Sequence, residues 1–177
     1  MHAPELRLQP AVNDDAGALA ELRDEAARWL LARGYRQWEV GEFTAEQFAR
    51  SVELDEVLVV RDDGRIVATV TLTAEDELVW AGRACADAAY VHRLIVARSH
   101  SGQGLGSAIL AAVEECARRR GATVVRLDFV ASNGDLGAFY RRRGYREVGG
   151  LEFPSSPGIR PCTLMEKQLT RKAADNR

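Results

Sequence analysis

The stretch Val96-Ala97-Arg98-Ser99-His100-Ser101-Gly102-Gln103-Gly104-Leu105-Gly106 joins an apolar strand to an amphipathic helix, and the fold turns on how that junction is read. Leu94-Ile95-Val96 is the end of the strand. After the glycines, Ile109, Leu110, Val113, Cys116 and Ala117 recur with helical period. The helix closes on Arg118-Arg119-Arg120 and Gly121, which suits the cation and glycine preferences of a C-terminus. A helix N-terminus leaves backbone N–H groups without partners and carries partial positive charge. Glycines at 102, 104 and 106 remove the side chains that would hold a phosphate away from those donors, so a diphosphate fits there. A dinucleotide fingerprint would need a third glycine where Ser107 stands. A Walker-type loop would need a lysine, which this turn lacks. A tight turn with no ligand is the plain alternative.

Downstream of this helix, Val124 to Val130 forms a strand, Asn133 starts a helix and Gly144 stops it. Tyr145 to Val148 and Thr163 to Leu169 are the last two strands, joined by a loop with Pro154, Pro157 and Pro161. Upstream, Tyr90 to Val96 is preceded by an irregular segment, Thr73 to Ala89, carrying Trp80 and Gly82. Before it, Val57 to Val60 and Ile66 to Leu72 flank Asp62-Asp63-Gly64, a hairpin pattern. Thr44 and Gln47 make a capping box for a short helix through about Arg50. Leu19, Leu22, Ala26, Trp29 and Leu30 mark a first helix, N-capped by Asn13 and closed by Gly34. Leu6 and Leu8 alternate with polar residues as a first strand. The order is β-α-α-β-β-β-α-β-α-β-β: a single α/β (α+β) domain over residues 1–169 with a polar tail at 170–177.

A chain of 177 residues is long enough for one well-filled core. A net charge of −2 argues against nucleic acid and anionic membranes as partners, which require clustered positive charge. No apolar run is long enough for a transmembrane helix, and Met1 to Pro10 lacks a secretion-signal layout, so a cytoplasmic location is the expectation. Cys85, Cys116 and Cys162 show neither a disulfide framework nor zinc spacing and read as packing residues, with no metal expected.

The glycine stretch resembles motif A of the GNAT superfamily of N-acetyltransferases, Q/R-x-x-G-x-G/A, between the fourth strand and the third helix. The element order resembles the GNAT fold over nearly the whole chain, which implies a central mixed, mostly antiparallel sheet flanked by helices. Ser101 departs from the pattern, standing where Gln or Arg is usual. Asn133 and Tyr140, followed by Arg141-Arg142-Arg143-Gly144-Tyr145, resemble the second half of the signature. The resemblance implies acetyl-CoA as cosubstrate, held by Leu94, Ile95, Val96, Gly102, Gln103, Gly104, Leu105, Gly106, Ser107, Asn133 and Tyr140. It also implies that Asn133 meets the pantetheine arm and that Tyr140 protonates the departing thiolate, a role suited to a hydroxyl that stays protonated at neutral pH. Asn133 also reads as a helix N-cap and Tyr140 as a packed aromatic.

An ammonium acceptor must lose a proton before attack, and a group titrating near neutral pH serves best. His92 shares side-chain parity with Leu94 and Val96 in an unbroken strand, and is taken as that base, with Asp128 and Glu77 as weaker candidates. In one branch of the family histidines occupy the positions matching Tyr90 and His92; others place a glutamate at the Tyr90 position. The resemblance implies that Trp29, Tyr35 and Trp38, with Tyr90, line the acceptor groove, where aromatic faces also suit an ammonium; core packing is the competing reading for Trp29 and Trp38. The reading is acetyl transfer from acetyl-CoA to a primary amine of a small-molecule acceptor, by direct attack in a ternary complex. A non-catalytic acyl-CoA-binding module on the same fold is the alternative. By resemblance, a homodimer is a common assembly.

Overall fold

In the computed structural model, which describes residues 7–83, 85–152 and 160–169, seven strands make one sheet in the order β1-β2-β3-β4-β5-β7-β6. The strands are β1 (Gln9–Pro10), β2 (Glu56–Asp62), β3 (Arg65–Thr73), β4 (Ala88–Val96), β5 (Val124–Val130), β6 (Arg146–Leu151) and β7 (Cys162–Gln168). The helices are α1 (Ala16–Ala32), α2 (Ala45–Leu54), α3 (Leu105–Arg119) and α4 (Gly134–Arg141). All neighbouring strands pair antiparallel except β4 and β5, which are parallel and connected through α3. The expected element order and mixed sheet are therefore present. Leu6, Pro154, Pro157 and the tail 170–177 lie outside the described residues.

Several boundaries differ from the sequence reading. The first strand is Gln9–Pro10, one step past Leu8, and pairs with Val59 and Leu58 at the sheet edge, where a proline removes no ladder bond. Asn13 is not the N-cap: the backbone N–H of Val12 donates to Asp15 Oδ2 (2.9 Å), and a short 3-10 turn, Asn13–Asp15, leads into α1. Asp15 also receives Arg61 (2.7 Å), which ties this turn to β2. The capping box at Thr44 and Gln47 is formed, but α2 continues four residues past Arg50, to Leu54. Strand β4 begins at Ala88, two residues before Tyr90.

The sheet is buried on both faces. One face packs Leu58, Val60, Val70, Leu72, Val91 and Leu127 against Ile109, Leu110 and Val113 of α3 and Tyr140 of α4. The other sets Val57 and Val59 against Leu19 of α1 and Phe48 of α2. Each fully buried aliphatic contributes about 1.5–3 kcal/mol relative to exposure. Trp80, from the irregular segment, is 2% exposed and closes a third cluster with Tyr90, Val124 and Leu164. Cys85, Cys116 and Cys162 are free thiols; Cys116 is half-buried, while Glu114 and Ala117 of the same helix are buried.

Two irregularities in β4 shape the centre of the molecule. Its register with β3 slips, Thr71 facing His92 and Thr69 facing Ile95, so β4 carries one extra residue. Arg93 takes that position at φ 50°, a left-handed conformation uncommon for a side chain with a Cβ. The bulge reverses the alternation, so the shared parity of His92 with Leu94 and Val96 expected for an unbroken strand does not hold. Leu94 and Val96 pack on the α3 face, whereas His92 follows Ala88 and Tyr90 onto the other. Pairing with β5 then stops at Val91 opposite Leu127, and the two parallel strands part.

Candidate active site

The glycine turn sits at one end of the fork between β4 and β5. Gly102 and Gly104 adopt φ 78° and 80°, and Gly104 is the N-cap of α3. No backbone N–H from Gly102 to Gly106 has a hydrogen-bond partner among the described residues. No heavy atom lies within 4 Å of a Cβ built on either Gly102 or Gly104. Unpaired donors, a helix N-terminus and a bare surface together fit a diphosphate. The edge of β4 beyond Val91 that faces β5 has no strand partner, so its backbone groups are available to an extended amide-bearing chain. The residues present thus fit coenzyme A in both its diphosphate and its pantetheine arm.

A cavity of about 550 Å³ runs from this turn into the fork. Asn133 caps α4, its Oδ1 accepting from the N–H of Leu136 (3.2 Å), while its Nδ2 points to Gln37 Oε1 (3.4 Å). Tyr140, the penultimate residue of α4, packs among Phe129, Phe139 and Tyr145, with centroids 5.2–5.9 Å away. Its hydroxyl has no hydrogen-bond partner among the described residues, and its ring lines the cavity. Burial, and then the charge of Asp128, push its pKa well above the ordinary tyrosine value, so the group stays protonated.

Asp128 lines the same cavity from β5, one residue past the last β4–β5 pair. Burial and the nearby Asp76 raise its carboxyl to about 6. Polar atoms of Asp76, His92 and Asp128 lie within 4.8 Å of one another. His92 Nε2 is 3.2 Å from Thr73 Oγ1 and 3.8 Å from Asp76 Oδ2, and burial lowers its pKa against the pull of Asp76. The imidazole is thus neutral at neutral pH and stands behind Asp128, outside the cavity lining.

The family model of the acetyltransferase (GNAT) family matches residues 21–145. The chain belongs to the GNAT acetyltransferase family. YesJ of Bacillus subtilis (strain 168), an uncharacterized N-acetyltransferase, is 34% identical over 167 residues, covering 91% of this chain and 89% of its own. A GNAT-family acetyltransferase from Listeria monocytogenes superposes with a TM-score of 0.75 at 25% identity, covering 96% of this chain and 99% of that one. PaiA N-acetyltransferase of Thermoplasma acidophilum, solved with coenzyme A, shares the fold at TM-score 0.71 and 17% identity, over 92% of this chain and 98% of that one.

In this GNAT acetyltransferase the cavity brings together most of the residues singled out from the sequence: Leu94, Ile95, Val96, Gly102, Gly104, Leu105, Gly106, Ser107, Asn133 and Tyr140, with Trp29, Tyr35 and Trp38. It does not include Gln103, which is exposed and reaches Ser99 O (3.3 Å), or Tyr90, which is 3% exposed against Trp80 in the third cluster. The aromatic wall is itself occupied. Trp29 is stacked by Arg98 at 3.9 Å, Trp38 by Arg23 at 5.2 Å, and Tyr35 donates to Asp135 Oδ2 (3.0 Å). The sequence reading did not single out Arg93, Arg98, Asp135 or Phe139, which also line the cavity. Arg143, on the wall near the turn, stacks on Phe139 and donates to Ser107. These arginines supply positive charge where Ser101 provides none.

Proposed function

We propose that the protein transfers an acetyl group from acetyl-CoA to a primary amine of a small-molecule acceptor, by direct attack in a ternary complex. What supports the reading is that one cavity carries a diphosphate cradle at one end and, at the other, a proton donor (Tyr140) beside a proton acceptor (Asp128). Bound there, acetyl-CoA supplies the acyl group as a thioester. The N–H groups of Gly102 to Gly106 hold the diphosphate, and the open edge of β4 orients the thioester. Asp128 first removes a proton from the ammonium, and the lone pair so freed on the amine nitrogen then bonds to the carbonyl carbon. Tyr140 protonates the sulfur as the carbon–sulfur bond breaks, and the second proton leaving the nitrogen restores the Tyr140 hydroxyl. His92, neutral and adjacent, takes the proton onward from Asp128, in place of the role at the amine itself expected from the sequence.

The test is Tyr140→Phe, assayed with acetyl-CoA over a panel of amines. Only an oxygen is removed from a well-packed ring, so the fold and CoA affinity should persist. The expected loss in kcat is roughly 10²- to 10⁴-fold. Turnover equal to wild type would overturn the role.

A further inference from the structure

Arg93 occupies the bulge at the fork, and its surroundings leave it incompletely satisfied. Nε donates to Thr71 Oγ1 (3.3 Å) and Nη2 to Ser51 Oγ (2.8 Å). Asp55 Oδ2 pairs ionically with Nη2 at 3.6 Å and also accepts from Ser51 Oγ at 2.6 Å. The flat face of the guanidinium lies over Phe43 at 4.8 Å. Nη1 makes no hydrogen bond among the described residues, yet the side chain lines the cavity. Thr71, Ser51 and Phe43 therefore fix the orientation of a fork-shaped cation and leave one arm of it open. Arg93 is held at φ 50°, a strained conformation for a non-glycine residue and the kind of strain that accumulates at ligand-holding positions.

The position of this cation separates it from the phosphate end. Arg143 is tied to Ser107 at the start of α3, and Arg98 belongs to the loop before the glycine turn. Arg93 instead adjoins Val91, at the last β4–β5 pair, and Asp128 stands across the fork. The reacting end of the cavity thus offers one anion for an ammonium and one oriented cation with a free donor edge. We infer that the acceptor is an amino acid, whose carboxylate is received by Arg93 while its amine meets Asp128. This rests on the acetyl-transfer reading above.

The experiment uses the wild-type chain with acetyl-CoA, following thiol release. The acceptors are the common α-amino acids, each paired with its carboxamide, and a set of simple amines and polyamines. The acid is expected to exceed its amide in kcat/KM by about 10- to 100-fold, the range for a hydrogen bond between charged groups. In Arg93→Gln the acid should lose that factor and the acid-to-amide ratio should fall to near one. Arg93→Lys should restore part of it, and acetyl-CoA affinity checks that each variant is folded. Acetylation of amides or simple amines as fast as acids, or a ratio unchanged in Arg93→Gln, overturns the inference and leaves acetyl transfer standing. Transfer to no amine at all overturns both.

Discussion

Asp128, the proposed proton acceptor, is buried at a cost to stability. Its pKa of about 6 in the folded chain lies above the value of about 3.9 for an exposed aspartate, because burial and Asp76 disfavour its charge. The folded state therefore binds this proton more tightly than the unfolded state. Its contribution to stability is fully present below about pH 4 and is lost as pH rises through about 6. Asp128→Asn should accordingly raise the unfolding free energy by about 1–3 kcal/mol at pH 8 and leave it nearly unchanged at pH 4. Denaturant titrations at the two pH values measure this, and equal effects at both would refute the assignment. For activity, kcat/KM of the wild type should climb with pH through about 6, and Asp128→Asn should lower it roughly 10²-fold or more. A charged residue inside the apolar run Val124 to Val130 was the sequence signal for this position. His92 reads as the better base because an ordinary histidine titrates nearer neutral pH than an ordinary aspartate, and only burial reverses that order. A bulge needs only one residue in an unusual conformation, and Arg93 carries no compositional mark of it.

At the scale of elements, local chemistry was the most legible. The capping box at Thr44, the Asp-Gly hairpin turn and the cap at Asn133 are all formed, since each depends on residues within four positions. Asn13 was misread because Asp15, two residues on, bonds Val12 and also Arg61, a residue 46 positions away whose pull is invisible locally. The glycine turn is where local and functional demands coincide. Gly104 needs φ 80°, whereas Gly106 has ordinary helical geometry and its added Cβ would meet Phe139 and Val96 at 3.7 Å, an ordinary contact. Gly104→Ala should therefore destabilise the fold by about 1–2 kcal/mol and raise the Kd for CoA. Gly106→Ala should be neutral to slightly stabilising toward unfolding, because alanine favours a helix over glycine by roughly 1 kcal/mol. Thermal unfolding of both variants, with calorimetric titration of CoA, separates backbone strain from loss of the cradle. Equal Tm values for the two would show that the left-handed turn is not a requirement.

Across the whole molecule, strand count and order along the chain were readable, but spatial neighbours were not. Hydrophobic spacing locates β6 and β7; nothing in it says that β7 inserts between β5 and β6. A polar, long-range contact joins the apolar packing of Tyr145, Met165 and Leu169 in securing that half of the sheet to the helices. Glu114 of α3, only 6% exposed, accepts from Tyr145 Oη (3.0 Å) at the entrance to β6 and from Lys167 Nζ (2.6 Å) on β7. Tyr145 in turn stacks on Tyr140 at 5.7 Å, so this contact supports the proposed proton donor from behind. Removing the cation alone leaves a buried carboxylate with a single neutral partner, which costs more than the pair contributes. Lys167→Met should thus destabilise the chain by about 2–3 kcal/mol. Adding Glu114→Gln should return a large part of the loss, since the unpaired charge is then gone. The double-mutant cycle, read by denaturant unfolding, should give a coupling of about 1–2 kcal/mol. Additive effects would mean that Glu114 is satisfied without Lys167, with the Tyr145 hydroxyl as its sufficient partner.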